Sequence, residues 1–266
     1  KEREIRAFNP EDYWVISGDF ETKKKEKITL VCSKEPKTEK EAEEIIGIAK
    51  KGKWSVIGVE QSEKKRAPRA PFITSTLQQT ASSRLGYSPS RTMSVAQKLY
   101  EQGLITYMRT DSVNVSKEAL PQIYKTIEKN YGKEYLFPRK YVSKSKSAQE
   151  AHEAIRPTDF SKKNAGSSED QKRLYKLIWE RAVSSQMADA KTLGTKISAN
   201  IGEGGKDIPD FCATGNIIVF PGWLAADAAA GGEDAEFPKL SKGDFLKLDG
   251  IESEGKQTQP PSRYTE

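Results

Sequence analysis

A tyrosine and an arginine two residues apart are the side chains of this sequence best suited to chemistry. Tyr107 and Arg109 lie in the segment 103–112, which reads GLITYMRTDS. A phenol oxygen can attack phosphorus and form a covalent ester, but with an ordinary pKa of ~10 a phenol needs a nearby cation to react at neutral pH. An arginine supplies such a cation, because its planar fork of donors binds phosphate oxygens and offsets the charge that develops on them.

The residues alone leave Tyr107 open to two interpretations. It is either a nucleophile or a core tyrosine whose ring packs and whose hydroxyl finds a hydrogen bond. The apolar run at residues 104–108 predicts a short buried strand that leads into a polar turn. If the strand continues, Arg109 points to the same face as Tyr107, because the side chains of a strand alternate. A helix, a turn and a strand in this order are also how winged-helix modules are assembled.

The sequence excludes several other kinds of site. It contains no P-loop, no dinucleotide-binding fingerprint and no HExxH motif. His152 is its only histidine, so no site can use two. Cys32 and Cys212 are too few for a disulfide framework or an all-cysteine zinc site, and they suit a reducing compartment. No tight cluster of carboxylates could hold a divalent metal ion by itself, so we expect no metal site in this chain.

The net charge of +6 on this 266-residue chain is concentrated in the middle. Residues 67–193 hold 21 lysines and arginines against 12 acids, whereas residues 1–66 hold 16 against 14 and residues 194–266 hold 7 against 12. Clustered Lys and Arg favour a polyanion as partner, because they displace counterions from phosphates. The alternative is an ordinary solvated surface of mixed charge. No run approaches the ~20 apolar residues that span a bilayer, which excludes an integral membrane protein.

The pattern of elements changes twice along the chain. Short β-branched and aromatic runs predict strands at 13–16, 28–32, 54–59, 195–201, 211–220 and 245–248, with a helix at 38–51. The middle predicts helices at 74–85, 90–102 and 117–131 (the last capped by Ser116) and a long helix with one apolar stripe that begins after Ser167 or Ser168. A proline-containing break at 64–71 predicts a domain boundary, and residues 225–236 predict a flexible loop.

These elements predict a multidomain α+β fold. The β-rich segments, residues 1–66 and 194–266, need each other to complete a sheet and are expected to form one domain. A mainly helical domain at residues 67–193 interrupts it.

The segment around Tyr107 resembles the active-site signature of the type IA DNA topoisomerases. Four more segments resemble stretches of that family in the same order: 71–79, 94–101, 151–158 and 260–266. The methionine after the tyrosine, Met108, resembles the bacterial topoisomerase I branch. The resemblance implies that the β-rich domain is the arch of such an enzyme and that the helical insertion is its winged-helix-like tyrosine domain.

The resemblance also implies roles for individual residues. Tyr107 would be the nucleophile that cuts one DNA strand and holds its 5′ phosphate, Arg109 would contact the scissile phosphate, and His152 would lie near the same phosphate. Five residues would bind DNA or neighbour the active site: Gln97, Lys98, Glu101, Thr110 and Asp111. Glu153 and Arg156 are expected to hold their loop by an ion pair. Three further cations are candidate phosphate contacts: Arg84, Arg91 and Lys117.

Part of the family pattern has no counterpart in this sequence. The metal site of these enzymes lies in an acidic N-terminal domain, and nothing here resembles that domain or the base that completes DNA binding. The resemblance therefore implies that the chain is the movable part of a longer bacterial enzyme. We expect it to bind single-stranded DNA weakly, to lack relaxation activity alone, and to need the missing N-terminal and base domains of the same protein as partners.

The full-length enzyme, by the same resemblance, would relax negatively supercoiled DNA. It would cut one strand through a 5′-phosphotyrosine intermediate, pass a strand and religate, using Mg²⁺ but no ATP, in the bacterial cytoplasm. Two alternatives share some of the same features. A non-catalytic winged-helix DNA-binding module fits the basic charge but leaves the Tyr-Met-Arg-Thr-Asp run unexplained. A tyrosine recombinase would need several arginines and histidines around its nucleophile, whereas this chain has one histidine.

Overall fold

The chain divides into two compact units. The computed structural model describes residues 1–142, 153–202, 208–231 and 237–264. Unit 1 comprises Lys1–Lys64, Thr192–Ile218 and Asp234–Thr265, and unit 2 comprises Lys65–Lys191 and Val219–Glu233. No helix within the described ranges is long and apolar enough to cross a membrane.

A closed six-stranded barrel accounts for most of unit 1. Its strands lie in the order β1-β2-β5-β4-β3-β6. They are β1 (Asp12–Thr22), β2 (Lys27–Cys32), β3 (Trp54–Arg66), β4 (Ala190–Ile201), β5 (Phe211–Phe220) and β6 (Phe245–Gln257). β1 pairs antiparallel with β2, where Ser17 lies opposite Val31, and with β6 along its whole length. Each of the six strands predicted in the two β-rich segments is present, and β1, β3 and β6 run well beyond their predicted ends.

The barrel core is organised around an indole ring. In β2 every second side chain is buried, beginning with Ile28, as the pleat of a strand requires. Trp54 is 1% exposed and makes edge-to-face contacts with Phe20 and Phe211, at centroid distances of 4.8 and 5.0 Å. Its indole nitrogen donates to the carbonyl of Ala49, 3.0 Å away. Two helices complete unit 1: α1 (Glu2–Arg6) and α2 (Glu39–Ala49).

Unit 2 is built on four helices: α3 (Thr74–Leu85), α4 (Pro89–Glu101), α5 (Leu120–Asn130) and α6 (Glu169–Ser184). α6 lies in the middle, because α3, α4 and α5 each pack against it. It begins at Ser168, whose hydroxyl accepts from the backbone N–H of Gln171, as the sequence predicts. The predicted apolar stripe, Leu174, Leu177, Ile178 and Ala182, is buried, and burial on α6 extends beyond it to other residues, including the polar Gln171 and Arg181.

Local capping residues set several of the helix ends. α2 begins after Thr38, whose hydroxyl accepts from the N–H of Glu41. α3 ends at Gly86, which adopts the left-handed conformation (φ 69°) that favours glycine. α5 differs from its prediction, because it begins at Leu120 and not directly after Ser116. The carbonyl of Ser116 accepts from the N–H of Ala119 in a turn that precedes the helix.

The strand predicted at residues 104–108 does not form. Only Ile105 makes an isolated bridge, opposite Pro157. The neighbouring backbone groups bond to the same loop: the N–H of Thr106 donates to the carbonyl of Arg156 (2.9 Å) and the N–H of Thr158 donates to the carbonyl of Leu104 (3.1 Å). No strand among the described residues pairs with this segment, so its apolar residues are buried against an irregular loop instead of a sheet.

Residues 219–231 pack with the helical unit, although the sequence assigned them to the second β-rich segment. Trp223 accounts for this placement: its indole nitrogen donates to the carbonyl of Arg66 (2.8 Å) and its backbone N–H to that of Ala188 (2.9 Å). The predicted loop at 225–236 contains a short 3₁₀ helix at Ala228–Ala230, and residues 232–236 lie outside the described ranges. The other changes of unit fall at 64/65 and 191/192, close to the predicted 66/67 and 193/194.

Candidate active site

Tyr107 lies at the surface of unit 2. Its side chain is 46% exposed, and its hydroxyl makes no hydrogen bond to another described residue. Its ring and that of Tyr100 on α4 lie in an edge-to-face arrangement at a centroid distance of 5.2 Å. The core-tyrosine interpretation is therefore wrong, because a core tyrosine would be buried with its hydroxyl bonded.

The hydroxyl of Thr74 holds the backbone on the far side of Tyr107. Thr74 is the first residue of α3, and its Oγ1 lies 2.8 Å from the carbonyl oxygen of Met108 and 3.1 Å from that of Thr110. It also accepts from the N–H of Thr110 (2.9 Å), whose carbonyl accepts from the N–H of Thr74 (3.0 Å). Because the hydroxyl of Thr74 has a single proton, it donates to one of the two carbonyls at a time. Met108 is buried between two exposed neighbours, Tyr107 and Arg109.

Thr106 fixes the backbone on the near side. Its Oγ1 donates to the carbonyl of Ala154 (2.7 Å) and accepts from the N–H of Arg156 (3.0 Å). The predicted ion pair in this loop is present, with 2.6 Å between Arg156 and Glu153. His152 lies outside the described residues, so its predicted place beside the scissile phosphate remains a prediction. The backbone on either side of Tyr107 is thus held by hydrogen bonds to two separate parts of the chain.

The predicted neighbours of the site have different environments. On α4 the amide of Gln97 donates to the carboxylate of Glu101 (2.8 Å), and Lys98 is exposed. Asp111 is exposed, whereas Thr110 is 8% exposed and its hydroxyl accepts from the N–H of Ser112 (3.0 Å). Thr110 therefore shapes the loop after Arg109.

Two of the candidate phosphate contacts have carboxylate partners. Arg91 binds Asp170 through two nitrogens, and its guanidinium holds the pKa of that carboxyl below the usual range. Arg84 pairs with Asp227 at 2.6 Å. Lys117 is exposed on the turn before α5. Of these three, Lys117 has the side chain most available to a new anion.

Two residues of the site were not recognised in the sequence. The sequence offers Thr74 or Ser75 as the cap of α3, but Ile73 is the cap residue and Thr74 is the first residue of the helix. The contact of Thr74 with residues far along the chain has no local signal. Tyr100 was placed on the buried face of α4 with Leu99, yet its side chain is 41% exposed. The number of residues between Tyr100 and Tyr107 does not predict that their rings meet, because the contact depends on the turn between them.

The described part of the chain offers no fit for a magnesium ion. Among those residues no group of three or more His, Cys, Asp or Glu side chains could hold a metal. We therefore assign no chemical role to a metal ion held by the described residues of this chain.

The sequence model of one protein family, described as DNA topoisomerase, matches residues 1–266. The chain belongs to the DNA topoisomerase family. Curated bacterial relatives are named DNA topoisomerase 1. This topoisomerase chain is 41% identical to the Vibrio cholerae protein over 278 residues, covering 100% of the chain and 31% of that protein. It is 47% identical to the Mycolicibacterium smegmatis protein over 231 residues, covering 80% of the chain and 24% of that protein.

A solved structure supports the same assignment. The full-length topoisomerase I of Thermotoga maritima is similar with a TM-score of 0.80 and 32% identity, over 99% of this chain and 44% of that one. The topoisomerase chain spans between 23% and 38% of the length of the curated relatives. The predicted membership of the bacterial type IA topoisomerase I branch and the mixed α+β class are confirmed.

If Tyr107 cleaves DNA as part of a longer topoisomerase, replacing Thr74 by Val is expected to slow that cleavage about tenfold to hundredfold. Valine keeps the shape but loses the oxygen that bonds Met108 and Thr110, so Tyr107 and Arg109 are held less firmly, and small misplacements of reacting groups are costly. The lost hydrogen bonds should lower the free energy of unfolding by only about 1 kcal/mol. The measurement is the cleavage rate at saturating oligonucleotide together with oligonucleotide affinity.

The matched control is Thr126→Val on α5, whose hydroxyl bonds only the carbonyl of Gln122. This variant should cleave at the normal rate. Equal cleavage rates for Thr74→Val and Thr126→Val would show that the hydroxyl of Thr74 does not position the site.

Proposed function

We propose that Tyr107 is the nucleophile of a type IA DNA topoisomerase, which cuts one strand of single-stranded DNA and keeps the 5′ phosphate. The observation that carries this proposal is the exposed Tyr107 hydroxyl on a backbone held at both sides, within a chain of the topoisomerase family. A merely structural tyrosine gains nothing from such anchoring, whereas a nucleophile must be accessible and fixed at once.

The proposed chemistry exchanges one phosphate ester for another. The phenol of Tyr107 loses its proton, its oxygen bonds to phosphorus, the bond from phosphorus to the 3′ oxygen breaks, and that oxygen takes up a proton. Religation reverses every step, so no ATP is consumed. Arg109, exposed two residues on, would bind the non-bridging oxygens through its fork of donors and offset their charge as the bond to the tyrosine forms.

The proposal assigns this chain only part of the reaction. We propose that the rest of the longer protein contributes a Mg²⁺ site and a DNA-binding base, that the barrel of unit 1 is the arch, and that strand passage through it relaxes negatively supercoiled DNA in the bacterial cytoplasm. The basic residues of 67–193 support weak, salt-sensitive binding of single-stranded DNA by the chain itself. Its fit to part of each relative's length supports the expectation that it does not cleave alone.

The experiment uses one oligonucleotide with a label at either end. With the longer protein and Mg²⁺, the label at the 3′ end should stay on the protein after denaturation, because the tyrosine holds the 5′ phosphate of the downstream piece. The label at the 5′ end should appear on a shorter free strand. Peptide mass spectrometry should place the adduct on Tyr107.

Two results would contradict the proposal. An adduct that retains the 5′-end label would mean a 3′-phosphate linkage, and an adduct on any other residue would remove Tyr107 from the chemistry. The isolated 266-residue chain serves as the second arm and should give no adduct and no relaxation of supercoiled plasmid. Relaxation by that chain would show that the essential groups are all present in it.

A further inference from the structure

A cavity of about 260 Å³ lies at the start of α3, apart from the exposed face of Tyr107. Three arginines line it, Arg69, Arg84 and Arg181, all within unit 2. Its wall also includes Ile73 and Thr76 from the first turn of α3. The positive end of the α3 dipole therefore faces the same space as the three guanidinium groups.

Arg181 is the unusual member of this set. Its side chain is 5% exposed on the central helix α6, and it has no carboxylate partner among the described residues. Its guanidinium lies 4.1 Å from the centroid of the Phe72 ring, and Nη1 donates a long hydrogen bond (3.5 Å) to the carbonyl of Ala70. Burial lowers the pKa of Arg181 to about 10, which still leaves it charged at neutral pH.

Two hydrogen-bond donors of the Arg181 side chain have no described acceptor. The structure describes no hydrogen bond from its Nε or Nη2, yet no completely buried side-chain nitrogen or oxygen among the described residues lacks a partner. These two nitrogens are therefore not completely buried, and Arg181 is one of the residues that line the cavity. Nε and one Nη are the pair that binds two oxygens of a phosphate side by side.

Protein neighbours balance the charge of the cavity only in part, although Asp227 favours the charged form of Arg181 as well as pairing with Arg84. Asp227, 2% exposed, pairs with Arg84 and neutralises one of the three guanidinium groups. Arg69 is exposed and has no ion pair with a described residue, and Arg181 has none either. A buried charge without a partner is costly, so an anion in the cavity would remove a cost that the free chain carries.

We propose that this cavity binds a phosphate group, held by Arg181 and Arg69 at the start of α3. The phosphate belongs either to a DNA strand or to free inorganic phosphate. The position favours a strand, because Thr74, between the lining residues Ile73 and Thr76, also holds the backbone that follows Tyr107. Val113, a few residues after that tyrosine, lines the cavity too. The site does not use the Tyr107 hydroxyl, so it and the proposed function can fail separately.

The first test titrates the 266-residue chain with inorganic phosphate and follows the Nε–Hε signals of its arginines by NMR. The Arg181 signal, assigned by its absence in Arg181→Lys, should shift and saturate. Arg181→Met, with a folded spectrum, should bind phosphate about tenfold or more weakly. Absence of a saturable Arg181 shift in the unmodified chain would overturn the proposal.

The second test uses an exposed residue, so that misfolding cannot decide the result. A short oligothymidylate is bound to the chain at several salt concentrations. Arg69→Gln should lower the slope of log affinity against log salt by about 0.7, the value for one phosphate contact on a single strand. The control Arg3→Gln removes the same charge from an exposed arginine of unit 1 and should leave the slope unchanged.

The two tests together identify the source of the phosphate. If the oligothymidylate produces the same Arg181 shift and competes with inorganic phosphate, the ligand is a phosphate of the DNA strand. If phosphate alone produces the shift and Arg69→Gln matches Arg3→Gln, the cavity is a site for free phosphate. If neither ligand shifts Arg181 and the two variants bind DNA alike, the proposal is wrong.

Discussion

Tyr107→Phe should abolish the covalent DNA adduct of the longer protein, lowering its yield by several orders of magnitude. Phenylalanine keeps the ring that meets Tyr100 at 5.2 Å but lacks the one atom that can attack phosphorus. Because the hydroxyl bonds no described residue, the free energy of unfolding should change by no more than about 0.5 kcal/mol. Adduct yield on denaturing gels and the thermal midpoint measure the two effects.

Tyr100→Phe is the matched control, since it removes the same atom from the partner ring. It should still form the adduct, because the described contact between Tyr100 and Tyr107 is between their rings and phenylalanine keeps the ring. Arg109→Lys should give an intermediate result, with cleavage about tenfold to hundredfold slower, because lysine keeps the charge but loses the planar fork. A covalent complex formed by Tyr107→Phe at the normal yield would remove this residue from the proposed mechanism.

Trp54→Ala should destabilise unit 1 by about 3–5 kcal/mol. The substitution deletes a completely buried indole, two edge-to-face contacts with Phe20 and Phe211, and the hydrogen bond to Ala49. The barrel closes around this ring and cannot collapse into the space it leaves. Denaturant unfolding, followed by the circular dichroism of strands and of aromatic side chains, measures the loss.

Trp14→Ala is the control for this prediction. Trp14 lies on β1 and is only partly buried against the same core. Removing it takes away less buried surface, so it should cost clearly less free energy than Trp54→Ala. Equal losses for the two variants would mean that burial at the centre of the barrel does not set the stability of unit 1.

Local signals in the sequence were sufficient to place many elements. Thr38, Gly86 and Ser168 each mark a helix end that the structure contains, because a capping hydroxyl or a left-handed glycine acts within one turn of its own position. The β-branched run at 28–32 and the run at 211–220 likewise predicted strands that form. The family too could be identified from the segment around Tyr107, since the residue types of a signature are readable without coordinates.

Contacts between distant parts of the chain decided the rest. Residues 104–108 have the composition of a strand, but a strand forms only when it pairs with another strand. The backbone of this segment forms its hydrogen bonds with the loop at 154–158 instead. Trp223 joins residues 219–231 to the helical unit by donating to the carbonyl of Arg66, a contact that no local pattern encodes. Both the missing strand and the placement of Trp223 depend on which hydrogen-bonding groups lie nearby in the folded chain.

The candidate site also combines properties that the sequence determines with properties that only the tertiary structure determines. Its residue types, a tyrosine with an arginine two positions on, are a property of the sequence, and so is the kind of chemistry they can do. Exposure of Tyr107, its anchoring by Thr74 and the burial of Arg181 are properties of the tertiary structure. The physical reason is that a hydrogen bond or a buried surface joins two groups, and the sequence around one of them does not say where the other will lie.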